Sequence, residues 1–330
     1  MRNVGRLREK RVMNHRTKLY FATDIHGSER CFKKFLNAAK FYGAEVLIMG
    51  GDIAGKAILF LTRESDGSLT SRYMGNNYNL RPGSELEDFL QLARSNGYYP
   101  YAAPVDELEM YQKDEGAANA LFRRLMRSSI AEWLDTAETR LKPLGVRCFV
   151  TPGNDDPEDV AEVINSSSYV TNPEGRVVDL DDVHQMVSIG YSNPTPWNSP
   201  RECSEAELAS KIDAMMVHVR SSEKCVLSAH VPPYDTGLDD APALTSDLRV
   251  KQVMGQVQFA PAGSTAVLEA IRKYRYVLSL HGHIHEVHAI RRIGPTVCIN
   301  PGSDYGQGVL HGVLAVLDNG RLVSQQLVSG

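Results

Sequence analysis

Short apolar runs that stop at polar loops recur along this chain. Residues 19–23 run into Asp24-Ile25-His26-Gly27, and residues 46–49 run into Gly50-Gly51-Asp52. The same form returns at 146–150, 186–189, 225–229 and 276–280. Apolar runs this short, bounded by turn residues, predict buried strands. Between the first two, Ser28 is placed to cap a helix reaching Tyr42, with Cys31, Phe32, Phe35, Leu36 and Ala39 on one face. In open α/β sheets, ligands sit beyond the carboxyl ends of the strands. The polar loops of this chain fall at those ends.

The alternation breaks between residues 55 and 144. Residues 58–63 and 69–74 flank Asp66-Gly67, a hairpin signal. Two helical stretches follow, over 84–95 and over 105–141, the second stopped by Pro143 and Gly145. This segment reads as an insertion of hairpin plus helices standing over the loop ends; an insert that only packs on the flank is the plainer alternative. Strands resume at 287–293, 296–300, 310–318 and 321–328, and Asn319-Gly320 is a turn that joins antiparallel neighbours. The order of elements predicts an α/β fold of two sheets packed face to face with helices outside.

Composition narrows the class without identifying it. A length of 330 residues suits two average domains, or one α/β domain with an insertion. Hydrophobic residues at 42% and charged residues at 23% exclude a disordered or collagen-like chain. Five scattered cysteines (Cys31, Cys148, Cys203, Cys225, Cys298) include no C-x-x-C pair, so a reducing, cytoplasmic location is expected. No apolar run approaches the roughly 20 residues that span a bilayer, so no membrane association is expected. Residues 1–18 hold seven Lys or Arg and one acid, and no apolar segment of a secretory signal follows. They read as a basic, disordered extension, with a nucleic-acid-binding arm as the less favoured reading. Net charge is −4, so the body of the chain carries −10. Such a body does not favour a polyanion as partner.

The chemistry lies in the loops. In order they present Asp24-Ile25-His26, Gly51-Asp52, Gly153-Asn154-Asp155, His230 before Val231-Pro232-Pro233, and His281-Gly282-His283-Ile284-His285. Carboxylate, imidazole and amide oxygen suit Mn, Fe or Zn, and the absence of sulfur argues against a structural zinc site. Asp24 and His26 are two apart, as are His283 and His285, so on an extended segment each pair points to one side. Asp52 has two oxygens and can bridge two ions. Each motif alone is weak: a Gly-Asp after a strand is usually a turn. The ordered set is not.

This ordered set resembles the calcineurin-like metallophosphoesterases, or dinuclear metallophosphatases. The resemblance rests on D-x-H at Asp24 and His26, G-D at Asp52, G-N at Asn154, the lone His230 and G-H-x-H at His283 and His285. It covers residue 19 to about residue 318, apart from 55–144. It implies a four-layer αββα sandwich of two mixed sheets, in one metallophosphoesterase domain over 19–330. It also implies two divalent ions, of Mn, Fe, Zn or Ni, with Mn favoured. One would take Asp24, His26, Asp52 and His285; the other would take Asp52, Asn154, His230 and His283. A bridging hydroxide would then attack a small phosphodiester or phosphomonoester, with Asn154 and His230 meeting the developing charge.

Many members of the family carry G-N-H, where this chain has Gly153-Asn154-Asp155-Asp156. Asp156, before Pro157, Glu158 and Asp159, reads as a helix cap. Asp155 stands at the position of the family's acid, yet a carboxylate is a poor proton donor at neutral pH. Substrates with good leaving groups are therefore expected to react best. His281 reads as the end of a buried strand rather than a residue supporting the ligands, and His184, His218, His288 and His311 read as structural. Gly263-Ser264-Thr265 opens a helix, as a plain cap or an anion site. Tyr234, Asp235 and Asp239 are candidates to touch substrate, with a solvated loop as the plainer alternative. So are the tyrosines of the insertion (Tyr73, Tyr78, Tyr98, Tyr99, Tyr101, Tyr111), by stacking, although packing explains most of them. The rival readings are a nuclease of the same family and a non-catalytic scaffold that keeps the fold.

Overall fold

The computed structural model describes residues 16–330; most of the basic extension lies outside the described residues. The first strand, Arg16–Ala22, begins three residues before the boundary expected from the sequence. It forms the middle of a five-stranded sheet in the order Arg321–Ser329, His311–Asp318, Arg16–Ala22, Val46–Met49, Arg147–Val150. The last three run parallel and the first two antiparallel, the Asn319-Gly320 turn joining that outer pair. A six-stranded sheet follows the order Ala289–Ile293, Thr296–Asn300, Leu278–Leu280, Cys225–Ala229, Gln185–Ile189, Val177–Asp179. Its four central strands are parallel and its two edges antiparallel.

The period-2 alternation of side chains divides each strand between two cores. Leu19, Phe21, Val46, Ile48 and Phe149 face Met186, Val226, Leu278, Leu280 and Ile299 between the sheets. Tyr20, Leu47, Met49, Cys148 and Val150 point the other way, against helices Glu29–Tyr42, Glu115–Leu141 and Glu158–Asn165. Val187, Ile189, Leu227 and Ala229 do the same against Glu205–Met216 and Thr265–Tyr274. The result is the four-layer αββα sandwich. No helix among the described residues is long and apolar enough to cross a membrane.

Residues 55–144 contain the expected hairpin, Ala57–Arg63 pairing antiparallel with Leu69–Tyr73, and the expected helix Ser84–Ser95, but also more. They contain a four-stranded sheet, ordered Asn76–Leu80, Leu69–Tyr73, Ala57–Arg63, Tyr98–Ala103, with a small core of Leu59, Leu61, Tyr73, Leu80 and Phe89. Two of these strands escape the sequence pattern. Asn76–Leu80 is polar and follows a two-residue turn at Met74-Gly75, while Tyr98–Ala103 carries Pro100, which an edge strand tolerates. The long helix expected over 105–141 is two. Asp114 ends Val105–Lys113 and caps Glu115–Leu141, accepting from the Ala117 amide at 2.9 Å. The second of these helices belongs to the sandwich rather than to the insert: Met126, Ile130, Trp133 and Leu134 join the core under the first sheet, and Trp133 stacks on Phe32 at 4.6 Å between ring centroids. Trp133→Ala is accordingly expected to cost about 3 kcal/mol of unfolding free energy in denaturant melts. A loss below about 1 kcal/mol would place this helix outside the core.

Candidate metal centre

The parallel strands of both sheets end at one edge, and the loops there continue the ladder past the strands. Asp24 N donates to Gly51 O at 2.9 Å, His26 N to Asp52 O at 2.9 Å and Gly27 N to Ile53 O at 2.8 Å. In the second sheet, Gly282 N donates to His230 O at 2.9 Å. One carboxylate joins the sheets: Asp24 accepts from the His283 amide at 3.1 Å. Asp156 joins the first-sheet loops, accepting from Gly153 N at 2.7 Å, Ala54 N at 2.8 Å and Ile53 N at 3.1 Å. The sequence reading of Asp156 as a helix cap is therefore corrected. The N-cap is Pro157, with no side-chain cap, and the Asp156 carboxylate is buried beneath the loops.

The side chains converge for a reason other than the expected one. Asp24 (φ 53°), His26 (φ 39°), Asp52 (φ 50°) and His283 (φ 67°) all adopt left-handed backbone, so tight turns rather than extended alternation aim them inward. Non-glycine residues held there cost on the order of 1–3 kcal/mol each and persist only where the surroundings enforce them. The glycines before two ligands let the loops approach. A Cβ on Gly153 would overlap Asp52, and one on Gly282 would overlap Thr23 and Asp24.

Donor atoms of all seven candidate ligands meet in two sets. In the first, His26 Nε2 lies 3.2 Å from His285 Nε2, which is 3.2 Å from Asp24 Oδ1; His26 Nε2 is 3.7 Å from Asp52 Oδ2. In the second, Asn154 Oδ1 lies 2.7 Å from His283 Nδ1 and 3.0 Å from His230 Nε2, which is 3.4 Å from Asp52 Oδ2. Asp52 Oδ2 is common to both. His230 Nδ1 faces Gly50 O at 3.0 Å, which holds a ring proton there and turns Nε2 toward the cluster. His26 Nδ1 is buried without a partner. The groupings Asp24-His26-His285, Asp24-Asp52-His230 and His26-Asp52-Asp155 could each hold a metal ion.

Electrostatics show what the cluster lacks. Asp24 and Asp52 are almost fully buried. Burial alone would raise them, but the surrounding imidazoles, His230 first and then His285 and His26 for Asp24 and His26 for Asp52, more than offset it and hold both well below the ordinary carboxylate range. Burial likewise opposes charge on His230, yet Asp52 and Asp24 push it up to about 10. His26 and His283 are pulled down to about 4, chiefly by burial. Two buried anions thus lean on the imidazoles around them, His230 first, for their counter-charge. Cations placed between them would meet the same need.

Asp155 lies at the rim of this cluster, within reach of His26 and Asp52, and its carboxylate is engaged by other groups. Its Oδ2 pairs with Lys56 Nζ at 2.9 Å, its Oδ1 accepts from Ser199 Oγ at 2.7 Å and its amide donates to Asp52 Oδ1 at 2.9 Å. The sequence reading missed Lys56, a lone lysine four residues beyond Asp52 with no motif around it. It also missed Tyr305, whose ring lies 4.8 Å from that of His26.

Other residues singled out by the sequence lie elsewhere. Ser264 caps Thr265–Tyr274, and the anion at that helix start is the chain's own Glu205, which accepts from Ala266 N at 2.8 Å. His281 is buried, donating to Ala229 O at 2.9 Å. Asp239 is buried and accepts from the amides of Asp235, Thr236 and Gly263, whereas Asp235 and His218 are exposed. Tyr99 is buried and accepts from Gly55 N at 2.7 Å, tying the insert to the Asp52 loop.

Asp52, Asn154, His283 and His285 of this cluster lie at the floor of a cleft of about 950 Å³. Its walls come from 193–197 and from 241–263, with Tyr234 and 283–286; residues 55–144 contribute Lys56 to the lining. The loop 193–203 is anchored to the cluster, since Arg201 N donates to Asn154 O at 3.1 Å. The buried Arg201 guanidinium pairs with Glu174, and with Glu158 at 3.0 Å.

No protein-family model matches the chain. Over 152 residues it is 31% identical to an uncharacterized protein of Methanocaldococcus jannaschii, a match covering 46% of this chain and 61% of that protein. The chain thus spans about three-fifths of the length of this relative. Among solved structures, a protein of Thermus thermophilus, TT1561, aligns over 95% of this chain and 98% of its own, with a TM-score of 0.51 and 12% identity, so the two are alike in fold. The structure of an archaeal phosphodiesterase aligns over 95% of this chain and 100% of its own, with a TM-score of 0.34 and 11% identity.

Removing the Asp156 carboxylate would strand three buried amides. Asp156→Ala is expected to cost about 3 kcal/mol or more in denaturant melts, and Asp156→Asn, which keeps one acceptor, to cost less. Equal losses for the two variants would contradict this role.

Proposed function

We propose that this protein is a metal-dependent phosphohydrolase that holds two divalent ions, with Mn favoured, and hydrolyses a small phosphodiester or phosphomonoester. The observation that carries the reading is the pair of donor sets sharing Asp52 Oδ2. It is supported by the chemistry of the donors, all oxygen or imidazole nitrogen, and by the buried anions they contain. Asp24, His26, Asp52 and His285 would hold one ion; Asp52, Asn154, His230 and His283 would hold the other. Bound there, the ions supply Lewis acidity, which neutralises phosphoryl charge and lowers the pKa of water.

The chain's own groups do the rest. The Gly50 carbonyl fixes the His230 ring, and His283 and His230 between them orient the Asn154 amide, so the second donor set is prearranged. Lys56 brings a half-exposed ammonium to the cleft beside Asp52. Burial works against its charge, but Asp155 more than offsets that and keeps it above its ordinary value. This is a cation for a phosphoryl oxygen of the substrate. Asp155, committed to Lys56 and Ser199, positions that cation rather than donating a proton. The leaving alcohol therefore departs with little protonation. The five cysteines are free, which supports the cytoplasm as the compartment.

Neither rival gains a supporting observation. A nuclease needs a row of cations along a groove, and Lys56 stands alone among the cleft residues. A scaffold needs no buried, strained ligand set.

In the presence of Mn²⁺, aryl phosphodiesters are expected to be hydrolysed, and faster than single-stranded DNA. Asp52→Asn is expected to lower kcat/KM by about 10²–10³-fold or more with an unchanged circular dichroism spectrum. Across a series of aryl esters, log rate should fall steeply as leaving-group pKa rises. A flat dependence would reinstate a proton donor, and a panel of aryl diesters and monoesters left intact would sink the reading.

A further inference from the structure

The cleft above the candidate metal centre has a floor and walls of opposite character. The floor holds Asp52, Asn154, Asp155, Lys56, His283 and His285. The walls are mainly apolar, with prolines and Trp197 beside Asn193 and Thr195 on one side, and Ala241 to Leu244, Leu248, Val250 and 260–262 on the other, while Tyr234 and Glu286 add polar groups. A substrate bound through its phosphoryl group at the floor has to lay its alcohol half along these walls. Along the 241–262 wall no lining side chain offers a donor or acceptor to read a sugar or a base.

One wall residue, Leu248, is also held in place at a cost. Leu248 has φ 59°, a conformation a bulky side chain adopts only under constraint. The turn that imposes it is closed by Leu248 N donating to Thr245 O at 3.0 Å and Thr245 N donating to Arg249 O at 2.8 Å. Leu248 and Val250 keep 46% and 45% of their surface exposed, and Trp197 keeps 62%. These apolar side chains line the cleft without being covered by the protein itself.

From this juxtaposition we infer that the substrate is a phosphoester whose alcohol carries an alkyl chain, with the chain lying between Trp197 and the Leu248–Val250 wall. The inference rests on the phosphohydrolase reading for the position of the phosphoryl group, but its content is binding. Each methylene moved from water onto such a wall strengthens binding about fourfold, so two fully covered methylenes give more than tenfold.

The test uses the full chain with Mn²⁺ and two non-hydrolysable probes, methylphosphonate and n-octylphosphonate, the latter kept below its micelle-forming concentration. Trp197 reports binding by fluorescence, because the other tryptophan, Trp133, is buried against Phe32. The octyl probe is expected to bind at least tenfold tighter. Leu248→Asp and Val250→Asp should each reduce that ratio to below about threefold, and Leu248→Met should preserve most of it. Equal affinities for the two probes would overturn the inference, as would an octyl preference that survives both Asp substitutions. The matched p-nitrophenyl methyl and octyl diesters separate the two readings. Selective octyl binding with neither ester cleaved upholds the cleft assignment and defeats the hydrolase; cleavage of both at equal kcat/KM upholds the hydrolase and defeats the assignment.

Discussion

Asp52 occupies the place where the structure's opposing demands meet. Its Oδ1 receives the Asp155 amide, and its Oδ2 faces His26 on one side and His230 on the other. Asp24, equally buried, ties the two sheets together through the His283 amide. Two ionised carboxylates this close and this dry raise the energy of the folded chain unless positive charge lies between them. The left-handed turns at Asp24, His26, Asp52 and His283 add backbone strain in the same place. A four-layer sandwich with cores on three levels can sustain that strain, which is intelligible as a binding site prepared in advance of its ligand.

Several distant features follow from keeping these loops in register. Asp156 gathers the amides of Ile53, Ala54 and Gly153, so two ligand loops move as one. Gly153 and Gly282 permit approaches that any side chain would block. Arg201, buried with Glu174 and Glu158, fastens the 193–203 loop behind Asn154, and that loop in turn forms one wall of the cleft. The insert with its own small sheet is held to the Asp52 loop by Tyr99, and its contribution to the cleft lining is Lys56. The groups over the floor come mostly from irregular segments on the second sheet's side.

The layered fold was legible because its signals are local: each buried strand is a short apolar run, and each ligand motif follows one directly. What the sequence hid was tertiary. Asp156 carries every local mark of a helix cap, but three buried amides from two loops outcompete the helix for its carboxylate. Asp24 and His26 look like neighbours on an extended segment, whereas φ angles of 53° and 39° aim them. Asn76–Leu80 has almost no apolar content and is a strand because its neighbour offers a ladder; Tyr98–Ala103 survives its proline by lying at a sheet edge. Lys56 had no pattern to betray it, since a single lysine in a loop acquires meaning only from the carboxylate opposite. The cleft walls use strands as short as Asp240–Pro242 and Phe259–Pro261, below what periodicity can register.

Under the proposed function one carboxylate oxygen, Asp52 Oδ2, serves two cations. Anomalous diffraction from crystals soaked in Mn²⁺ tests it most directly. Two peaks are predicted, one among Asp24, His26 and His285, the other among Asn154, His230 and His283, with Asp52 Oδ2 coordinating both. A single peak, or peaks that leave Asp52 uncoordinated, would contradict it.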